Sequence, residues 1–240
     1  MSRESTTTTG VPGWDALLPW LRAGTTRRGW EASRLDDDCC SPLGDGWRSV
    51  VRSRQVHGAV TRVHAELPAG ESVVGEGDGH VTRRPGLLLT VTLADCVPIF
   101  IADPVQRAIA LLHAGWRGTA AGVLEQGLAT MSRAFGSAPA DLFVHLGPAI
   151  CGQCYEVGPE VFEALGEAAP SRPAPIDLRG VIRQRALAAG IGANHLTVST
   201  ECTLCGDGRY FSHRRGDTER HRGFVGILPK SGRPERTGSP

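Results

Sequence analysis

Three short segments carry side chains whose types suit metal or thiol chemistry: Arg54-Gln-Val-His-Gly58, Leu93-Ala-Asp-Cys-Val-Pro98 and His113-Ala-Gly-Trp-Arg-Gly118. Each sets a borderline or soft ligand (His57, Cys96, His113) at or near the end of a predicted strand, where open sheets present side chains to a shared pocket. Two imidazoles and one thiolate make a three-donor zinc site with the fourth position open, the catalytic form of such a site rather than the closed structural one. An open position holds water, whose pKa the metal lowers to about 7. The same donors also accept copper. Each residue has a bland reading too. His57 beside a glycine could sit in a turn, Cys96 after an apolar strand could be a small core residue, and His113 could cap a turn. Asp95 argues against a plain core, because a buried carboxylate needs a partner. The glycines flanking Trp116-Arg117 suggest backbone held close to another group, such as an anion.

Two further clusters stand out. Cys151-x-x-Cys154 and Cys202-x-x-Cys205 have the form of a structural zinc ribbon, but they lie much further apart than the roughly 15–20 residues usual for one. The expectation is therefore unrelated thiols near a cleft. Cys39-Cys40 reads as two free thiols. Arg209, Arg214, Arg215, Arg220 and Arg222 crowd one stretch, partly offset by Asp207, Asp217 and Glu219. That stretch is either a solvated loop or a phosphate site, since guanidinium forks match phosphate oxygens.

These residues need a scaffold, and the chain is long enough to supply one. It has 240 residues, 26 Lys+Arg against 25 Asp+Glu, and a formal net charge of +1. Such a balance gives no bulk reason to coat nucleic acid or acidic lipid. No apolar run approaches the ~18 residues of a membrane span, and the polar start lacks a secretory h-region, so a cytoplasmic protein is expected. Seven cysteines, an odd count, disfavour a disulfide framework. One domain is expected over 10–230, between polar tails at 1–9 and 231–240. Strands are predicted within 47–63 and at 87–93, 97–101, 109–112, 142–146, 196–199 and 224–228. Helices are predicted from Ala120 to Phe135 with Gly136 as the stop, at 158–165, and at 177–189 with Asp177 as cap and Gly190 as stop. This mixture gives an α/β (α+β) fold of mixed sheets flanked by helices.

Read together, Gln55-Val-His-Gly58, Gly77-Asp-Gly-His-Val-Thr82, Ala94-Asp-Cys-Val-Pro98, His113-Ala-Gly-Trp-Arg-Gly118, Gly147-Pro-Ala-Ile150, Cys154-Tyr-Glu-Val157 and Phe211-Ser-His-Arg-Arg215 resemble the YfiH family. Its members carry the labels laccase domain, polyphenol oxidoreductase and purine nucleoside phosphorylase. The resemblance implies a single α/β domain similar in topology to the catalytic domain of the cytotoxic necrotizing factor toxins. It implies that His57, Cys96 and His113 are zinc ligands. It further implies phosphorolysis of adenosine, inosine, guanosine and methylthioadenosine, together with adenosine deamination. Copper-dependent phenol oxidation is the family's older label. The chain departs from the family pattern at Thr25-Thr-Arg-Arg-Gly29, which lacks a second glycine, and at the acidic stretch Asp36–Asp38. Both departures bear on the substrate pocket or a dimer contact; the chain is expected to be a monomer or a homodimer.

Chemistry narrows the choice. Multicopper oxidation needs several coppers and repeated His-x-His pairs, which the eight histidines do not form. Purine chemistry fits better, with Asp95, Cys96 and His113 as catalytic residues. Gln55, Asp78, Arg117, Arg214 and Arg215 are expected to bind substrate, the arginines by holding phosphate and Asp78 as a second proton carrier. Purine nucleosides and phosphate are thus the expected partners, with zinc, or copper, as cofactor. The alternatives are a Cys–His hydrolase or amidase acting on peptidoglycan precursors, with Cys96 as nucleophile and His113 as base, a copper-dependent polyphenol oxidase, and a non-catalytic binding protein.

Overall fold

A strand that is apolar at every position needs cover on both faces, whereas one that alternates needs cover on one. The middle of this chain contains two strands almost wholly of the first kind, and the architecture follows from covering them. The computed structural model describes residues 8–30, 47–66 and 69–229. In chain order come β1 (Thr8–Gly10), α1 (Trp14–Leu17), β2 (Leu21–Thr26), β3 (Ser49–Arg54), β4 (Thr61–His64), β5 (Gly70–Glu76) and β6 (Gly79–Thr82). The centre holds β7 (Leu87–Leu93), β8 (Val97–Asp103), β9 (Ala108–Ala114), α2 (Trp116–Ala120), α3 (Val123–Phe135) and β10 (Phe143–Leu146). The last part holds β11 (Glu156–Val157), α4 (Pro159–Leu165), β12 (Ala174–Pro175), α5 (Leu178–Ala188), β13 (Leu196–Val198) and β14 (His221–Ile227).

Two six-stranded sheets form, in the orders β1-β2-β14-β7-β3-β5 and β13-β10-β8-β9-β6-β4, with β11-β12 as a small ribbon. Both are mixed: β7-β3-β5 run parallel in the first, β13-β10 and β6-β4 in the second, and the other neighbours are antiparallel. Every residue of β8 and β9 is buried. Phe100, Ala102, Ile109 and Leu111 point at Leu87, Leu89, Val91 and Leu93 of the first sheet. Ile99, Ile101, Ala110 and Leu112 point the other way, at Leu124, Leu128 and Met131 of α3 and Ile182 of α5. The layers are therefore sheet, sheet, helices. Each large side chain in these two seams contributes about 1.5–3 kcal/mol by leaving water. A smaller cluster, Trp47, Val50, Leu88 and Phe224, covers part of the first sheet's outer face, and Gly226 has no side chain because the Trp47 ring lies against it.

Several sequence expectations change. The helix expected from Ala120 to Phe135 is two helices, because Gly122 turns the chain in the left-handed region (φ 80°) between α2 and α3. Gly136 does stop it, at φ 75°. Asp177 occupies the cap position of α5 without a side-chain capping bond. Thr8 and Thr9 belong to β1, paired with Thr26 and Thr25, so the tail reading fails at those two residues. Residues 1–7, Asp36–Asp38, the Cys39-Cys40 pair and the tail at 231–240 lie outside the described residues. Among the described residues no helix is long and apolar enough to cross a membrane.

Candidate metal centre and active site

The three ligand-type residues sit where the two sheets meet at one end. His57 follows β3 of the first sheet, Cys96 lies in the turn from β7 to β8 that joins the sheets, and His113 is near the end of β9 in the second. Their ligand atoms all fall within 4.8 Å of one another. The His57 and His113 rings meet edge-on, with centroids 4.9 Å apart. Two of the three described non-glycine residues with positive φ are here, His57 at 57° and Asp95 at 82°. Such backbone costs of order 1–3 kcal/mol and persists only where the surroundings hold it.

Asp78 holds His57. The carboxylate of this fully buried residue accepts the His57 N–H at 3.0 Å and the Gly58 N–H at 2.8 Å, and also the Val56 N–H at 3.2 Å. Its Oδ1 further accepts from His113 Nδ1 at 2.9 Å. That bond places the proton on Nδ1 and leaves Nε2 free to act as a ligand. Burial alone would raise the Asp78 pKa, but His113 and the Gly58 and Val56 amides outweigh it and hold the carboxyl below its usual range. Space is tight as well. A side chain at Gly115 would stand 3.0 Å from both Cys96 Sγ and His57 Cδ2, and one at Gly118 would stand 3.0 Å from the Gly58 carbonyl. The two glycines of the His113–Gly118 segment thus let the helix entry pack against the ligand loop.

The donors fit a cation. Burial would push the Cys96 thiol up, yet His113 and His57 bring it down to about 6. Burial would likewise disfavour charge on His113, but Cys96 and Asp78 raise it to about 9. Both shifts run in the direction of a thiolate–imidazolium pair. A metal ion between Cys96 and His113 would take the place of that proton, with the thiolate already in its ligating form.

A cavity of about 610 Å³ opens over these residues, within the range of small-molecule sites. Gln55, Asp95, Arg117 and Arg214 line it with the three donors. Gln55 is tied into the sheet: its amide donates to the Thr92 carbonyl at 2.9 Å, and its Oε1 accepts from Thr92 N at 2.7 Å. Asp95 accepts the Thr203 hydroxyl at 2.6 Å and the Arg214 N–H at 2.8 Å, so it pins two distant loops to the Cys96 turn. The Arg117 guanidinium lies over Trp116 at 4.3 Å and makes no hydrogen bond or ion pair with the described residues. Arg214 stacks on Tyr155 at 5.1 Å. Two expected substrate residues are elsewhere. Asp78 lies beneath His113 and does not line the cavity, and the Arg215 guanidinium donates to the Tyr210, Thr203 and Leu204 carbonyls. In both, the polar atoms are engaged by groups of the chain itself.

The cavity also takes in Arg220, one of the crowded arginines, and Tyr155 and His213, which residue-type reasoning did not single out. Tyr155 and His213 fall inside two of the quoted motifs, which was the available signal. The thiols expected to be unrelated, Cys151, Cys154, Cys202 and Cys205, also converge, with their sulfurs within 4.8 Å of one another.

Comparison with known proteins places this site in a family. A family model described as multi-copper polyphenol oxidoreductase laccase matches residues 37–228. The chain belongs to that family, the YfiH family. The crystal structure of the hypothetical protein YfiH from Bacillus licheniformis superposes with a TM-score of 0.83 at 25% identity, covering 93% of this chain and 97% of that one. In sequence, the chain is 36% identical over 195 residues to the purine nucleoside phosphorylase YlmD of Geobacillus stearothermophilus, covering 73% of this chain and 71% of the relative. It is 34% identical over 205 residues to adenosine deaminase RL5 from an unknown prokaryotic organism, covering 78% of each.

Proposed function

We propose that this protein is a zinc-dependent purine nucleoside phosphorylase that also deaminates adenosine, with adenosine, inosine, guanosine and methylthioadenosine as substrates. The observation that carries the reading is the convergence of His57, Cys96 and His113 at a cavity of nucleoside size, with the Arg117 guanidinium on its wall free of hydrogen bonds and ion pairs among the described residues. The names of the relatives support the same chemistry. Zinc is favoured over a multicopper centre because, among the described residues, the groups able to hold metal contain only two histidines, His57 and His113.

In phosphorolysis, phosphate attacks the anomeric carbon of the sugar and the bond electrons leave on the purine. Arg117 and Arg214 hold the phosphate dianion against the sugar. The Tyr155 ring offers a flat face to the base. Its hydroxyl, raised to about 12 by burial and by Cys96, stays protonated at neutral pH and can donate to a purine nitrogen. Zinc held by His57, Cys96 and His113 supplies Lewis acidity. Asp78 keeps His113 in its ligating tautomer, and Asp95 is the carboxylate on the cavity wall able to carry a proton during deamination.

A second reading has one observation in its favour. The lowered Cys96 thiol beside His113, itself oriented by Asp78, has the order of a nucleophile–base–orienter chain. His57 separates the two readings, because a Cys–His hydrolase does not need it. Metal-loaded protein incubated with adenosine and phosphate should yield adenine, inosine and hypoxanthine by chromatography. His57→Ala should lower both activities by at least about a hundredfold with thermal stability retained, since His57 is exposed. Unchanged turnover in that variant sinks the proposal.

A further inference from the structure

Cys151 and Cys154 occupy the turn that leads into β11, and Cys202 and Cys205 the turn that follows β13. The turns lie side by side because β10 and β13 pair in parallel and the pairing continues as a bridge between Ala149 and Cys202. All four thiols are free, and the Cys151 and Cys205 sulfurs stand 3.8 Å apart. Sulfurs about 2.3 Å from one tetrahedrally bound zinc lie about 3.8 Å from each other, whereas a disulfide would bring two of them to about 2 Å and leave the other pair unused. The spacing suits one ion and is too close for a two- or four-iron cluster, in which thiolates bound to different irons stand further apart.

The backbone is arranged for thiolates as well. Cys202 Sγ accepts the Cys151 N–H at 3.2 Å and the Cys205 N–H at 3.4 Å, the second-sphere bonding that orients a metal ligand and tunes its charge. Gly206 donates its N–H to the Cys202 carbonyl at 3.1 Å, and a side chain at Gly206 would collide with that same carbonyl. The Cys202–Cys205 turn therefore closes only with glycine after it. Gly152 has a matching constraint, since its Cβ would stand 2.9 Å from the Asp177 side chain.

We propose that Cys151, Cys154, Cys202 and Cys205 hold a second zinc ion in a closed, four-thiolate structural site, separate from the His57–Cys96–His113 centre. The inference does not rest on the purine reading. Four thiolates fill the coordination of the ion and leave no place for substrate, so its role is to join two turns. Those turns lie behind residues of the cavity wall. Ile150 and Tyr155 flank the first pair and line the cavity, and Thr203 follows Cys202 and donates to Asp95.

The test counts zinc in the full chain, purified from zinc-supplemented cells, by elemental analysis. X-ray absorption then reads the atoms around the metal. Wild type should carry two zinc ions per chain. Cys96→Ala should keep one, surrounded by four sulfurs at about 2.3 Å. Cys151→Ser/Cys205→Ser should keep one, in a mixed nitrogen and sulfur environment. Equal zinc in wild type and the double variant overturns the proposal, as does Cys96→Ala protein without zinc, with iron in its place, or with a Cys151–Cys205 disulfide by mass spectrometry. Should the double variant fail to fold, the Cys96→Ala spectrum decides alone. If wild type holds one zinc that Cys96→Ala retains, the catalytic metal fails and this site stands. If wild type holds one zinc that Cys96→Ala loses, the catalytic metal stands and this site fails.

Discussion

Asp78→Asn is the change whose consequences the geometry defines most closely. In the native residue each carboxylate oxygen serves two donors: Oδ1 takes the His57 N–H and His113 Nδ1, and Oδ2 takes the Val56 and Gly58 N–H groups. An asparagine amide has one oxygen and one NH2 group, so either orientation points a donor at donors. With the oxygen at the Oδ1 position, the Val56 and Gly58 amides lose their acceptor. With the oxygen at the Oδ2 position, the NH2 faces His113 Nδ1, and the ring can accept there only by moving its proton to Nε2, the nitrogen needed for metal. Each buried donor left without a partner costs about 1–3 kcal/mol. Some relaxation of the partly exposed loop 56–58 lowers the total to about 2–4 kcal/mol. In a chain of this length that is a fall in melting temperature of roughly 5–15 °C. Loss of the group that orients a ligand costs about 10–100-fold in metal affinity or activity. Guanidinium unfolding followed by circular dichroism reads the first quantity, and zinc competition against a chelator with steady-state turnover reads the second. An Asp78→Asn protein with wild-type zinc affinity and turnover would refute the reasoning, whatever its stability.

Acid should destabilise the protein earlier than carboxylate titration would. Burial lowers His80 and His221 to about 3, and His64 and His145 to about 4, each with help from nearby positive charge. A lowered histidine stays neutral in the fold while the unfolded chain takes up a proton, so stability is intact above about pH 6.5 and is lost as pH falls towards about 4. Each of the four costs about 2 kcal/mol between pH 6.5 and pH 5, which together is comparable to a whole folding free energy. Denaturant midpoints measured from pH 7.5 to 5 should fall steeply below pH 6.5; a flat profile would show that these rings are not buried neutral. Gly115→Ala should press its new methyl against Cys96 Sγ and His57 Cδ2 and lower turnover roughly 10–100-fold while shifting the melting temperature only a few degrees; wild-type kinetics in that variant would show that the donors tolerate displacement.

The strands at the centre were legible because burial on both faces leaves no polar position to confuse the pattern, as in Val97–Ala102 and Ile109–Leu112. Strands β5 and β6 were not. GESVVGE and GHVT mix glycine with polar residues, and only their neighbours in the sheets make them strands. The split between α2 and α3 rests on a single glycine inside an unbroken apolar period. At the site, the types of His57, Cys96 and His113 were readable, since each ends or borders a strong strand. The place of Asp78 beneath His113 was not, because that contact depends on how β6 and β9 pair. The four cysteines show the limit most clearly. Spacing along the chain argued against them as a group, but the distance that matters was set by the parallel pairing of β10 with β13.

One donor hangs from each sheet, and the third from the link between them. The hollow where substrate would sit is therefore a property of how two slabs are stacked, not of any one loop. Phe100 and Leu111, apolar side chains packed between the sheets, act as the spacers that set this alignment. The chemistry of the mouth is thus written partly in the thickness of the oily layer behind it, and the hydrocarbon interior limits how far the reactive end can drift.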